Sequence, residues 1–195
     1  MVLRYIRVSP RNAEALLRHP TLLRPFLDGP LSDPNFETPE SSGLWSRWFG
    51  RAGRRRTPGA THLEGREPGD EGDADKSWNA IHFLLTGSAQ DAAFPAGFIL
   101  VGGTTVGDED VGYGPARLFA PAEVREIDAA LSRINREVAT RRFDGVAMDA
   151  ADVYPQIWSR TDEDVFEYAW ENLRALQEFV RRTVELDHGL LLLLT

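Results

Sequence analysis

"DADKSWNAIHFLLTG" (residues 73–87) predicts a helix that packs against the protein interior. On a helical wheel of about 100° per residue, the apolar residues of this stretch share one arc of about 120°. These apolar residues are Trp78, Ile81, Leu84 and Leu85. A polar stripe about 60° wide borders the arc, and it consists of Asp75, Asn79, His82 and Thr86. The pattern predicts that His82 lies where the apolar face meets the polar stripe.

His82 has two interpretations on the sequence alone. Asn79 and Thr86 lie three and four residues away, near enough for hydrogen bonds that would satisfy a half-buried imidazole. Alternatively, His82 binds a ligand or transfers protons, because an imidazole titrates close to neutral pH. Asp75 lies about 10.5 Å away along the helix axis, too far to orient the ring. A partner for the imidazole would have to come from elsewhere, and the candidates are Asp152, Tyr154 and the 108–114 loop.

Two charged residues begin the predicted helix. Asp75 is expected to stabilise the first turn, because the N-terminal end of a helix favours negative charge. Lys76 is the only lysine among 22 lysine and arginine residues. Two roles stay open for it, a structural ion pair and a contact with an anion.

The same stretch resembles the signature of the YfbM-like family, small bacterial proteins without an established activity. The matching residues are Asp73, Asp75, Lys76, Trp78, His82, Phe83, Leu85, Thr86 and Gly87. Ala74 departs from the signature, which has a larger aliphatic residue there. Segments 112–124, 152–158 and 188–194 resemble the family's glycine-rich loop, Tyr-Pro segment and closing strand. The resemblance covers most of the chain except residues 30–70. It implies an α+β fold and a bacterial cytosolic origin, and it supplies no catalytic residues.

Hydrophobic periodicity and capping residues predict the remaining elements. Ser9 is expected to cap a helix that has Pro10 at its first position. Thr161 is expected to open the longest helix. Strands are predicted at 2–8, within 94–103, at 116–120 and at 190–194, with a glycine-rich loop at 104–115. Further helices are predicted at 121–134 and, as shorter segments, within 19–29 and 135–155. We therefore predict one α+β domain over residues 1–195, a small sheet of short strands packed with several helices.

Residues 30–72 interrupt these patterns and are predicted to be a mobile insertion, because they are rich in Pro, Gly and Ser and show no periodicity. Within them lies a candidate docking loop, formed by Trp45, Trp48, Arg54, Arg55 and Arg56. One interpretation is a segment that docks on a phosphate, a membrane surface or a partner. The other is a loop whose basic half folds back onto the acidic residues that follow it, since opposite charges at short range cancel.

Composition excludes several classes of function. The formal net charge of −8 argues against binding to nucleic acid or to anionic membranes. The chain has no cysteine, which rules out disulfides, thiolate nucleophiles and cysteine metal sites. Its four histidines show no metal-ligand spacing on a common helix, so we expect neither metal nor cofactor. No apolar run approaches the roughly 20 residues of a membrane helix, and we expect a cytoplasmic protein.

Two hypotheses about function follow. The first is a non-enzymatic protein-binding module, an immunity-type or regulatory protein whose acidic surface engages a basic partner. The second is an enzyme or small-ligand binder with a cleft around His82 and Tyr154. Tyr154 and Trp158 form a second candidate site, because tyrosine and tryptophan combine a large apolar surface with one polar group. The full candidate site is Asp75, Lys76, Trp78, Asn79, His82, Tyr154 and Trp158. A purely structural motif is the remaining interpretation.

Overall fold

The structure is a computed structural model that describes residues 1–29, 63–161 and 164–195. The strands in these ranges are β1 (Leu3–Val8), β2 (Glu71–Asp73), β3 (Thr104–Asp110), β4 (Pro115–Phe119) and β5 (Gly189–Leu194). The α-helices are α1 (Pro10–Arg18), α2 (Leu23–Asp28), α3 (Trp78–Thr86), α4 (Pro121–Leu131), α5 (Arg136–Arg142), α6 (Gly145–Ala150) and α7 (Val165–Glu185). Short 3-10 turns, Pro20–Leu22 and Asp75–Ser77, precede α2 and α3. The predicted α+β fold with a long C-terminal helix is confirmed.

The strands form one antiparallel sheet in the order β2-β1-β5-β4-β3. The closing strand β5 is therefore central, and it pairs with β1 on one side and β4 on the other. Helices cover both faces of the sheet, which explains why β5 is a continuous run of leucine rather than an alternating sequence. Leu190 and Leu192 point to one core, whereas Leu191 and Leu193 point to the other.

Two layers of helices enclose the sheet. Leu16 of α1 and Phe26 of α2 pack on one face. Ile81 of α3, Ile127 of α4 and Leu173 of α7 pack on the opposite face. The stretch that predicted the fold thus lies on the face covered by the longest helix.

Two local predictions are wrong. The apolar run within 94–103 forms turns rather than a strand, although Phe98 and Ile99 in it are fully buried. The side chain of Arg117 donates hydrogen bonds to the carbonyl groups of both residues, so these carbonyl groups are satisfied without a strand partner. The glycine-rich segment expected to be a loop contains the edge strand β3, whose register shifts between Thr105 and Asp110.

Side chains that cap the first turn mark where α1 and α7 begin. The hydroxyl of Ser9 accepts a hydrogen bond from the backbone N–H of Asn12 at 3.3 Å, which confirms the predicted cap of α1. The long helix begins later than expected. Its cap is Asp164, which accepts from the N–H of Glu167 at 3.0 Å, rather than Thr161.

The end of the predicted insertion belongs to the folded body. Leu63 is buried in the core beside α2, and Glu71 begins strand β2. Arg66 donates to the carbonyl groups of Leu27 at 2.9 Å and Gly29 at 3.2 Å. The side chain of Asn12 and the backbone of Glu64 exchange two hydrogen bonds, at 2.7 and 2.9 Å. The residues that flank 30–62 are therefore held together on the body; the predicted mobility of residues 30–62 lies outside the described residues.

Candidate functional site

Helix α3 places the candidate residues. Asp75 to Ser77 form a 3-10 turn, and the α-helix runs from Trp78 to Thr86, where Gly87 ends it in a left-handed conformation (φ 77°). Seven of its nine residues are buried, including Asn79 and His82. The polar stripe that was predicted at the edge of the helix therefore lies inside the protein.

His82 is fully buried, with 0% of its surface exposed. Neither ring nitrogen has a hydrogen-bond partner among the described residues. The hydroxyl of Thr86 donates to the backbone carbonyl of His82 at 2.8 Å, and does not reach the ring. The prediction of a half-buried, hydrogen-bonded imidazole is wrong, because the packing of distant elements closes over the ring. Burial lowers the pKa of His82, so the imidazole is neutral.

Asn79 connects α3 to the segment that follows α6. Its side-chain oxygen accepts a hydrogen bond from the backbone N–H of Tyr154 at 2.8 Å. Its amide nitrogen donates to the carbonyl of Ala89 at 2.7 Å. The buried amide is thus used to hold two loops against the helix.

The predicted aromatic residues lie in one cluster. The rings of Trp78 and Tyr154 stack with centroids 6.0 Å apart, and the ammonium group of Met1 donates to the Tyr154 hydroxyl at 3.2 Å. The indole N–H of Trp158 donates to the carbonyl of Val153 at 3.0 Å. The indole N–H of Trp78 is buried and has no partner among the described residues. The second candidate site is thus continuous with the first.

Tyr168 of α7 completes the site and was not predicted. Its hydroxyl donates to the carboxylate of Asp75 at 2.7 Å and accepts from the backbone N–H of Lys76 at 3.2 Å. Its ring stacks on Trp158 with centroids 6.3 Å apart. Burial and the nearby Asp75 carboxylate raise the pKa of Tyr168. No spacing in the sequence signals a contact between residues 93 positions apart.

Asp75 and Lys76 lie at the surface end of the cluster. Asp75 is half-buried with a positive φ of 44°, and its carboxylate binds Tyr168 instead of a backbone N–H of α3. Lys76 is exposed, and within the described ranges its ammonium group has no ion pair or hydrogen bond. The predicted structural ion pair of Lys76 is therefore not formed there.

The site divides into two parts by exposure. The outer rim consists of Asp73, Asp75, Lys76 and Tyr168, which are exposed or half-buried. The inner part consists of Trp78, Asn79, His82, Tyr154 and Trp158, of which only Tyr154 is more than marginally exposed. The polar groups of the inner part are bonded within the protein or enclosed, whereas the outer rim reaches the protein surface.

No partner reaches the imidazole of His82 from the expected candidates. Asp152 accepts a hydrogen bond from the side chain of Gln156 at 2.6 Å. In the 108–114 loop, Asp110 accepts from the backbone N–H groups of Gly112 and Gly114. Those two bonds lower the pKa of Asp110. The described residues thus contain no carboxylate–histidine pair at this site.

Metal binding, membrane insertion and the docking loop are three further features that the sequence raises. The described residues hold no cluster of three or more histidine, cysteine, aspartate or glutamate side chains fit to ligate a metal. Among those same residues, no helix has the length and hydropathy needed to cross a membrane. The candidate docking loop, with Trp45, Trp48, Arg54, Arg55 and Arg56, lies outside the described residues.

Comparison with known proteins places the chain among proteins without an assigned role. The family model described as "Domain of unknown function (DUF1877)" matches residues 1–193. Among solved structures, the protein of unknown function YfbM from Escherichia coli is similar, with 18% sequence identity, 98% coverage of each chain and a TM-score of 0.62. At that identity the likeness concerns the fold alone. No curated protein matches the chain. The resemblance to the YfbM-like family is confirmed.

Proposed function

We infer that this protein, which belongs to the DUF1877 family of unknown function, is a non-enzymatic protein-binding module. Its outer rim recognises a basic partner protein, in the manner of an immunity-type or regulatory protein that covers a basic effector. The inner part of the site holds the rim in place.

The state of the inner part supports recognition over catalysis. A general acid or base must come within hydrogen-bond reach of its substrate. His82 is enclosed, with 0% exposure. Both ends of the Asn79 amide are bonded within the protein. None of these groups meets solvent where a substrate would arrive.

The hydrogen bond between Tyr168 and Asp75, at 2.7 Å, carries the proposal. It fixes a half-buried carboxylate at the surface, on a backbone with a φ that non-glycine residues rarely adopt. A group held in place before binding loses little entropy on association. Asp73 lies beside it, since the Asp73 carboxylate accepts from the N–H of Asp75 at 3.0 Å.

The charge of the outer rim indicates which class of partner binds it. The rim presents two carboxylates beside one lysine, on a chain whose formal net charge is −8. Complementary charge accelerates association and excludes partners of like charge. A basic protein surface is therefore the expected ligand of the rim.

The alternative of an enzyme or small-ligand binder rests on one observation. His82 and Trp78 carry three buried nitrogen atoms without partners among the described residues, and a small polar ligand would satisfy them. Both side chains are closed off from solvent, since His82 is 0% exposed and Trp78 is 6% exposed and stacked on Tyr154. The closed arrangement therefore favours the binding module.

Affinity capture tests the proposal. The wild-type protein, Asp75→Asn and Tyr168→Phe are immobilised and exposed to lysate of the source organism. Asp108→Asn serves as the matched control, because Asp108 is an exposed acid on β3, at the opposite edge of the sheet from β2. We expect a stoichiometric basic protein that binds the wild type and the control and is weakened in both rim variants. Equal capture by all four proteins, or no stoichiometric partner, contradicts the proposal.

Lys76 provides a second test that maps the contact. As the only lysine, it leaves an amine-reactive crosslinker with two targets, its side chain and the chain's α-amine. We expect the captured partner to crosslink through Lys76. Lys76→Arg keeps the positive charge and should abolish that product without releasing the partner. A partner that crosslinks only through the α-amine would place the contact elsewhere.

A further inference from the structure

A cleft of about 640 Å³ lies between α7 and the segment that joins α4 to α5. It shares no residue with the outer rim or the inner part of the candidate site. Small-molecule pockets occupy roughly 300–1,000 Å³, so the cleft has the size of a ligand site. Its lining combines arginine, amide and aromatic side chains.

The two walls of the cleft are fixed to each other. The side-chain amide of Gln177 on α7 donates to the carbonyl groups of Leu131 at 2.9 Å and Ile134 at 2.8 Å. Asn135 caps α5 by accepting from the N–H of Val138 at 2.9 Å. The cleft is therefore formed before any ligand arrives, which limits the entropy lost on binding.

One cation in the cleft is available to a ligand. The charged residues that line it are Asp128, Arg136, Arg174, Glu178 and Arg181. Arg136 is 2.5 Å from Glu167, and Arg181 is 2.5 Å from Glu178, so both are paired. Arg174 is exposed and, within the described ranges, has neither an ion pair nor a hydrogen bond. Within those ranges, Arg174 is thus the lining arginine whose charge no ion pair offsets, since Arg181 also contacts Glu185 at 3.1 Å.

We propose that this cleft binds a small organic carboxylate with an apolar body. The guanidinium group of Arg174 matches a carboxylate in a bidentate pair. The apolar body lies against Ile134 and Trp170, which are 3% and 8% exposed and form the apolar part of the lining. Asp128 and Glu178 disfavour ligands with several negative charges, because like charges repel at this range.

Titration with benzoate, followed by NMR of the Trp170 indole N–H and the Arg174 side-chain N–H, tests the proposal in the full chain. Arg133→Gln is the matched control, because Arg133 is exposed, has no partner among the described residues and does not line the cleft. We expect saturable shifts in the wild type and in the control. Arg174→Gln should weaken binding at least about tenfold, which corresponds to one charge-assisted hydrogen bond.

Inorganic phosphate and phenyl phosphate are titrated as comparison ligands. Both should bind more weakly than benzoate, since they carry more charge, and inorganic phosphate also lacks the apolar body. The proposal is overturned by benzoate shifts that do not saturate by about 10 mM, by equal binding to Arg174→Gln, or by inorganic phosphate binding as well as benzoate. Without ligand, the NMR spectrum of Arg174→Gln should differ from that of the wild type only in signals near residue 174, which shows that the variant is folded.

Discussion

Replacing His82 with leucine should leave the protein at least as stable at pH 7 and should make its stability less sensitive to acid. The imidazole is fully buried, and its nitrogens have no partner among the described residues. Burying such a group costs about 1–3 kcal/mol. Leucine has a similar size and no polar atoms, so it removes that cost without leaving a cavity.

The pH dependence gives the sign and the magnitude. Burial lowers the pKa of His82 below its ordinary value of 6.5. Well above pH 6.5 the ring is neutral in both the folded and the unfolded chain, so its titration does not change the free energy of unfolding. Below pH 6.5 the imidazole is protonated in the unfolded chain but stays neutral in the folded chain. The free energy of unfolding therefore falls by up to about 1.4 kcal/mol per pH unit. Between pH 7 and pH 5 the wild type should therefore lose up to about 2 kcal/mol more than His82→Leu.

Urea denaturation at pH 7, 6 and 5, monitored by tryptophan fluorescence, measures this difference. His19→Gln is the control, because it removes an exposed imidazole instead of a buried one. Two results would refute the reasoning: a His82→Leu variant at least about 2 kcal/mol less stable at pH 7, or one that keeps the wild-type slope. Either would mean that the imidazole makes a favourable polar contact in the folded protein.

Three further substitutions test the contacts around the site by urea denaturation. Asn79→Leu should destabilise the protein by at least about 2 kcal/mol, because it leaves the N–H of Tyr154 and the carbonyl of Ala89 without their partner; a neutral effect would contradict the role of the amide. Tyr168→Phe should cost about 1 kcal/mol through loss of the bond to Asp75, and no added loss is expected when Asp75→Asn, which tolerates the positive φ, is combined with it. Arg66→Met should cost about 2 kcal/mol, because it removes three hydrogen bonds from a guanidinium group that is 7% exposed; an unchanged midpoint would show that the Arg66 bonds do not hold the body together.

The sequence predicts features that depend on local patterns. Ser9 and Pro10 mark the start of α1 because capping acts within a few residues. The leucine run of β5 and the apolar face of α3 follow from periodicity. The turns around Phe98 were mistaken for a strand, since a short apolar run is buried in either conformation.

The sequence predicts that several candidate residues lie together, but it does not predict how far each of them is exposed. Trp78, Asn79 and Tyr154 do meet, as the combined candidate site requires. Periodicity placed His82 at a boundary because it sees only one helix, whereas burial depends on every element packed around it. Tyr168 was missed for the same reason, since its bond to Asp75 joins two helices far apart in the chain.

The bonds that Arg66 and Asn12 make at the base of residues 30–62 have a practical consequence. Because residues on both sides of that stretch are tied to the body, a flexible replacement of different length carries little penalty: doubling the length of a flexible connection costs only about 0.6 kcal/mol. The position is therefore suited to grafting, and an epitope, a reporter or a shorter linker exchanged for residues 30–62 should leave the register of all five strands intact.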